Sequence, residues 1–159
     1  MEINKKLSIV IPTYNRADFL DYSLEIHIPM LKEYGIEIAI FDNASTDNTQ
    51  EVVSKWMKEY KFINYIRHEK NIGAVKNFEY ALSYPNSEYI WLLGDTYKFN
   101  IEMLINLLNS IESRYDLIIF NLSNKVLLYH KTSVDLLKGI PYIFPSNVDA
   151  SLNPFTISS

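Results

Sequence analysis

Short β-branched apolar runs, each closed by polar residues, alternate along this chain with longer stretches in which apolar positions recur every three or four residues. Leu7 to Ile11 is the first run, and Pro12, which lacks a ladder donor, reads as its end. Thr13-Tyr14-Asn15-Arg16 then forms a polar loop. Asp18 is placed to cap a helix carrying Phe19, Leu20, Tyr22, Ser23, Leu24 and Ile26 at helical spacing. Pro29 is expected to bend or interrupt that helix. Ile36 to Phe41 is a second strand, followed by the polar run Asp42 to Thr49. Asn48 and Glu51 stand at capping-box spacing before a helix with Val52, Val53, Trp56 and Met57 on one face. Phe62 to Ile66 is a third strand, His68 to Gly73 a loop, and Ala74 to Leu82 a helix with Val75, Phe78 and Leu82 on its buried side.

The next run, Tyr89-Ile90-Trp91-Leu92-Leu93, carries no charge and reads as a strand buried on both faces. Gly94 ends it and Asp95 follows at once. Ile101, Leu104, Ile105, Leu107, Leu108 and Ile111 mark one amphipathic helix, and Asp116 to Phe120 a fifth strand. Strands alternating with helices predict an α/β fold with a mostly parallel sheet and right-handed crossovers. Beyond Asn121 the pattern weakens. Val126 to Tyr129 reads as a strand, Ser133 to Lys138 as a turn or two of helix, and Gly139 to Ser159 as poorly ordered. The expected organisation is a core of residues 1–121 and an abbreviated segment, 122–159, in the same domain.

At 159 residues, one domain is the natural size. A formal net charge of −4 and scattered lysines disfavour nucleic acid and a polybasic membrane patch. With no cysteine there is neither a disulfide framework nor a thiolate site. No run approaches the length of a signal sequence or a transmembrane segment, so the expected location is cytoplasmic, extending to the inner membrane face as a peripheral site.

Candidate chemistry lies where strands end, because open α/β sheets bind ligands beyond their carboxyl edges. The four glycines form neither GxGxxG nor a P-loop. The histidines, His27, His68 and His130, show no metal spacing and read as structural or exposed. Two carboxylates remain at strand ends. Asp42 can accept a hydrogen bond from a ribose or base, or simply cap its own turn. Asp95 can hold a metal, a metal-bound phosphate or a sugar hydroxyl. Tyr14 can stack on a base or pack, and Lys76, in a helix's first turn, can meet a diphosphate or serve as a solvated charge.

Together, Ser8-Ile9-Val10-Ile11-Pro12-Thr13-Tyr14-Asn15-Arg16, Phe41-Asp42-Asn43-Ala44-Ser45-Thr46-Asp47, Asn71-Ile72-Gly73 with Asn77, and Trp91-Leu92-Leu93-Gly94-Asp95 closely resemble the family 2 glycosyltransferases. The resemblance covers residues 7–121. It implies the GT-A fold, a Rossmann-like three-layer sandwich, and inverting transfer from a nucleotide sugar, with a UDP-sugar as the expected donor. It also implies a glycan or lipid-linked acceptor and bacterial cell-surface polysaccharide synthesis. By the same resemblance Pro12, Thr13, Tyr14 and Asn15 flank the base and ribose, and Asp42 contacts the base. Asn71, Gly73 and Lys76 border the nucleotide, and Asp95 meets Mg²⁺ or Mn²⁺ at the diphosphate. The chain departs from the family pattern in having one acid, Gly94-Asp95-Thr96-Tyr97, where relatives carry a DxD motif. Asp116, Asp135 and Asp149 lie outside any context matching the family's catalytic base, so the acceptor half is expected to be abbreviated. Two alternatives follow: a nucleotide-sugar-binding module without turnover, or a domain that serves as an assembly surface. An exposed apolar face would lead to self-association.

Overall fold

In a computed structural model, residues 6–113 are described, together with the backbone of 117–120 and 126–129. The chain divides into two units, Met1–Ser113 and Arg114–Ser159. In the first, β1 (Leu7–Thr13), α1 (Ala17–Lys32), β2 (Glu37–Asp42), α2 (Thr49–Glu59), β3 (Ile63–Arg67), α3 (Ala74–Ser83), β4 (Tyr89–Leu92) and α4 (Ile101–Glu112) follow in order. The four strands form one all-parallel sheet in the order β3-β2-β1-β4.

This order contains a reversal. From β1 the chain steps outward to β2 and β3, then returns past β1 to add β4 on the other side. Right-handed crossovers then put α1 and α2 on one face and α3 on the other. In keeping with this, α1 packs with α2, while α3 packs on β1 and β2. Val10, Ala39 and Phe41 make one buried layer with Ala81 of α3. The alternate positions Ile9, Ile11, Ile38 and Ile40 are also closed to solvent, as are Leu20, Leu24, Ile28 and Leu31 of α1. The crevice between the carboxyl ends of β1 and β4 is the topological switch point, the place where such sheets take ligands.

Several expectations are corrected here. Pro12 does not end β1: the strand continues to Thr13, with Pro12 in register with Phe41. Val10 accepts a hydrogen bond from Leu93 on the β4 side, so Pro12, two residues on, turns its missing donor to that same side, where β4 has already ended. Likewise α1 is continuous through Pro29, which is exposed, while Ile28 and Leu31 beside it anchor the turn in the core. Asp18 lies inside α1 rather than capping it, and Asn48, although at the N-cap of α2, makes no side-chain cap bond. Asp47 serves both helix starts instead: its Oδ2 accepts from the Ala17 amide at 3.0 Å and its Oδ1 from the Thr49 amide at 3.1 Å.

The fully buried residues of α3 are Asn77 and Ala81, and of the larger residues expected there Leu82 alone packs, partly buried, against the core. Val75 is 70% exposed and Phe78 is exposed as well. Asn77 wins the inward position because its Nδ2 donates to the Phe41 carbonyl at 2.9 Å, and a small Ala81 lets the helix lie close to the sheet. Similarly, Met57 of α2 is exposed while Val52 and Val53 are buried. Strand β4 is not buried on both faces. Among the described residues it is a sheet edge, with Tyr89, Ile90 and Trp91 half-buried and Leu92 exposed.

In the second unit, β5 (Leu117–Phe120) does not extend the parallel sheet but pairs antiparallel with β6 (Val126–Tyr129). The strand expected at 126–129 is present. The expected helix at 133–138 and the expected disorder of 139–159 lie outside the described residues.

Candidate functional site at the carboxyl edge of the sheet

Thr13 is the meeting point. As the last residue of β1 it stands in register with Asp42, the last residue of β2, and its carbonyl accepts the Asn43 amide at 3.0 Å. Its hydroxyl turns the other way and donates to Asp95 Oδ2 at 3.2 Å. Tyr14 follows directly and is 42% exposed. Three residues far apart in sequence, Tyr14, Asp42 and Asp95, are thus gathered at one edge because parallel strands all end on the same side.

Asp95 is 7% exposed. The Arg16 Nε lies 3.4 Å from the same Oδ2 that Thr13 reaches. Burial pushes the Asp95 carboxyl above the usual range, and Arg16 and Thr13 oppose that shift. The loop bearing Asp95 is tight: the Tyr97 amide donates to the Gly94 carbonyl at 3.0 Å and the Tyr97 ring folds back over Gly94. A Cβ on Gly94 would lie 2.7 Å from that ring, which accounts for glycine at the strand end. Asp95 also lines a cavity of about 260 Å³, with Phe19, Tyr22, Ser23, Thr96, Tyr97 and Lys98.

Asp42 is 0% exposed and encircled by donors. Its Oδ1 accepts the Ser45 amide at 2.8 Å; its Oδ2 accepts the Tyr65 hydroxyl at 2.6 Å and faces Arg67 Nε at 3.3 Å. Burial, then the bond to Asp42, raises the Tyr65 phenol well above its ordinary pKa. Arg67 also donates to the Ser45 carbonyl at 2.8 Å. The turn that brings the Ser45 amide back onto Asp42 needs Ala44 at φ 63°, a left-handed conformation that a side chain rarely adopts.

The polar loops interlock above these carboxylates. Asn15, at φ 51°, accepts the Thr46 amide at 2.7 Å through Oδ1, and its own amide donates to Ser45 Oγ at 2.9 Å. Asn43 donates to Asn71 Oδ1 at 3.1 Å and accepts the Ile72 amide at 2.9 Å, while the Gly73 amide also donates to Asn71 Oδ1. Gly73, at φ 87°, has open space where a Cβ would stand. Lys76 lies on the exposed first turn of α3. The structure thus gathers Pro12, Thr13, Tyr14, Asn15, Asp42 and Asp95 along one edge and ties Asn71 and Gly73 to it through Asn43. Lys76 has no such tie.

Comparison with known proteins fits this geometry. The family model described as glycosyl transferase family 2 matches residues 8–127, most of the chain. The chain belongs to that family. Relatives include abequosyltransferase RfbV of Salmonella typhimurium, 36% identical over 113 residues, covering 70% of this chain and 34% of that protein. Glycosyltransferase GlyG of Streptococcus pneumoniae is 26% identical over 123 residues, covering 77% of this chain and 40% of that protein. The chain therefore covers between about a third and two fifths of the length of these relatives. Solved structures with the same fold include Staphylococcus aureus TarS 1-349 in complex with UDP-GlcNAc (TM-score 0.60, 23% identity, 68% of this chain and 31% of that one). Mannosyltransferase PcManGT from Pyrobaculum calidifontis, in complex with GDP-Man and Mn²⁺, has a TM-score of 0.57 at 20% identity, covering 65% of this chain and 31% of that one. The fold of this family 2 chain is GT-A.

Sequence reasoning passed over Arg16, Tyr65 and Arg67, whereas Ser45-Thr46-Asp47 reads as a turn and helix start, as Asp47 proves to be. Arg16 and Arg67 carried a usable signal, since each follows or ends a strand on the ligand side. Tyr65 carried none, because its role depends on a contact 23 residues away. As a metal site the edge offers little: among the described residues no three His, Asp or Glu side chains are grouped to share an ion. Asp95 can supply one carboxylate ligand beside a guanidinium. That suits Mg²⁺ or Mn²⁺ only where phosphate oxygens and waters complete the shell, as Mg²⁺ commonly arranges. Among the described residues no helix is long and apolar enough to cross a membrane.

Proposed function

We propose that this chain carries the donor site of an inverting glycosyltransferase that moves a sugar from a nucleoside diphosphate, UDP for preference, to a glycan or lipid-linked acceptor in cell-surface polysaccharide synthesis. The observation that carries this reading is the convergence of Thr13, Arg16 and Asp95 in the crevice between β1 and β4. A nucleoside diphosphate spans just such a switch point, with its base over one half of the edge and its phosphates over the other.

In this reading the base and ribose lie over Pro12, Thr13, Tyr14 and Asn15. The exposed Tyr14 ring offers a stacking face. Asp42 contributes from below: fully buried, it fixes Arg67, Tyr65 and the Ser45 turn, which form the floor of the base site. Asn71 and Gly73 border the nucleotide through their link to Asn43, and Lys76 reaches toward the diphosphate from α3. Arg16 neutralises charge on the departing diphosphate, and Asp95 would hold Mg²⁺ or Mn²⁺. When bound, the cation supplies further positive charge to that leaving group. In a single displacement the acceptor hydroxyl oxygen bonds to the anomeric carbon as the bond from that carbon to the diphosphate oxygen breaks, and the hydroxyl proton passes to a base to which no residue is assigned.

Isothermal titration tests this. UDP, GDP and CDP are titrated with and without Mn²⁺, beside a donor-hydrolysis assay. The expected result is Mn²⁺-dependent binding of one nucleotide, weakened about tenfold or more by Asp95→Asn, a loss of about 1.4 kcal/mol. Binding without sugar release from any donor would favour a module without turnover. No binding of any nucleotide would overturn the reading.

A further inference from the structure

The loop that carries Asp95 is fixed at both ends, and its far end rests on a buried histidine. His27, on α1, is 2% exposed. Its Nε2 accepts the Phe99 amide at 3.1 Å, and its ring stacks on the Phe99 ring with centroids 4.0 Å apart and planes 3° apart. Phe99 is wedged in turn against Trp91 of β4, at 4.6 Å between centroids. A backbone N–H can only donate, so Nε2 is unprotonated, and the Nδ1 proton is directed to Ser23 Oγ at 3.2 Å. The imidazole is therefore neutral and held in one tautomer. Midway along the loop, Lys98 Nζ meets the Tyr22 hydroxyl at 3.2 Å and lies 4.3 Å from that ring's centroid.

Asp95, Lys98 and Phe99 are thus all fastened to β1, α1 or the loop between them: Asp95 to Thr13 and Arg16, Lys98 to Tyr22, and Phe99 to His27. Of these attachments, only the last combines a buried hydrogen bond with a ring stack. A leucine or phenylalanine at position 27 would fill the space but leave the Phe99 amide unsatisfied away from water.

We propose that His27 is a positioning residue for Asp95, its unprotonated Nε2 holding the Phe99 amide so that the loop presents the carboxylate at the β1–β4 crevice. The inference rests on the reading of Asp95 as the group that meets the diphosphate or its cation. It goes further in placing part of that function in a side chain of the first helix that the ligand never touches.

Two substitutions in the full chain, His27→Leu and His27→Gln, test it by amide hydrogen exchange and by titration with UDP and Mn²⁺. In His27→Leu, exchange of the Phe99 amide and its loop neighbours rises while the amides of β1 and β2 keep their protection. The Mn²⁺-dependent affinity falls roughly threefold to tenfold, as expected for one buried hydrogen bond. The glutamine carbonyl reaches the Nε2 position, so His27→Gln restores protection and affinity most of the way. Asp95→Asn, by contrast, loses affinity with the Phe99 amide still protected.

Unchanged loop exchange in His27→Leu overturns the proposal, as does a mobile loop with affinity intact. If His27→Leu does not fold, His27→Gln decides: protection lost at Phe99 despite the retained acceptor overturns it. If the unsubstituted chain binds no nucleotide, the donor-site reading fails, and with it Asp95's role. The exchange arm then reports separately whether His27 holds the loop.

Discussion

Removing one hydroxyl, in Tyr65→Phe, tests how the base side of the site is built. The Tyr65 hydroxyl donates to Asp42 Oδ2 at 2.6 Å, and that carboxylate is closed to solvent. A short bond from a neutral donor to a buried charge contributes about 1.5–3 kcal/mol, against about 1 for an ordinary pair. Arg67 faces the same oxygen from 3.3 Å but its side chain is 38% exposed, so solvent screens it and it cannot make up the loss. We therefore expect Tyr65→Phe to lower unfolding free energy by about 2 kcal/mol, roughly 8 °C in Tm for a unit of this size. Urea denaturation followed by circular dichroism measures it, with an unchanged m-value. A double-mutant cycle with Asp42→Asn should give a coupling of about 1 kcal/mol or more. A loss below about 0.5 kcal/mol, or two substitutions that simply add, would refute the view that Tyr65 fixes Asp42.

Asp47→Ala removes the acceptor that serves the starts of both α1 and α2, so a loss of about 2 kcal/mol is expected in thermal melts, and Asp18→Ala should cost far less. Stability should also fall with acid through His27. Burial, and then the charge of Lys98, lower its pKa from 6.5 to about 4. The unfolded chain then binds a proton that the folded chain refuses, so this contribution is complete above about pH 6.5 and is lost as pH drops toward 4. Its full size is about 3 kcal/mol, and about 2 of that is gone by pH 5. Denaturant melts at pH 7 and 5 should show this slope in the unsubstituted chain and not in His27→Gln.

Much of the fold was legible because the apolar runs were long and well punctuated. The core residues Ile9, Ile11, Ile38, Ile40 and Phe41 fall inside runs read directly as strands, and the histidines read as structural or exposed include His27, which is buried and bound on both nitrogens. Tertiary choices were not legible. Periodicity gave α3 a buried side of Val75, Phe78 and Leu82; Leu82 does pack against the core, but Val75 and Phe78 are exposed and the sheet takes Asn77, because a carbonyl at the end of β2 needs a donor. The uncharged run at β4 read as a strand buried on both faces, since a run of apolar residues looks the same at an edge as in the middle. Pro12 looked like a stop because nothing in the sequence says on which side β4 will end. At the site, the two carboxylates stood out by their positions after apolar runs. That Asp42 would face inward, ringed by Tyr65, Arg67 and Ser45, depended on contacts made across the fold.

The central claim is that one ligand lies along the carboxyl edge from β2 to β4, and paramagnetic broadening by Mn²⁺ in the presence of UDP tests it most directly. On ¹⁵N-labelled protein, the amides of Thr13 to Arg16 and Gly94 to Tyr97 should broaden most. Those of Asn43 to Ser45, on the base side, should broaden less. Broadening centred on another face, with the amides around Thr13 and Asp95 left sharp, would contradict the account.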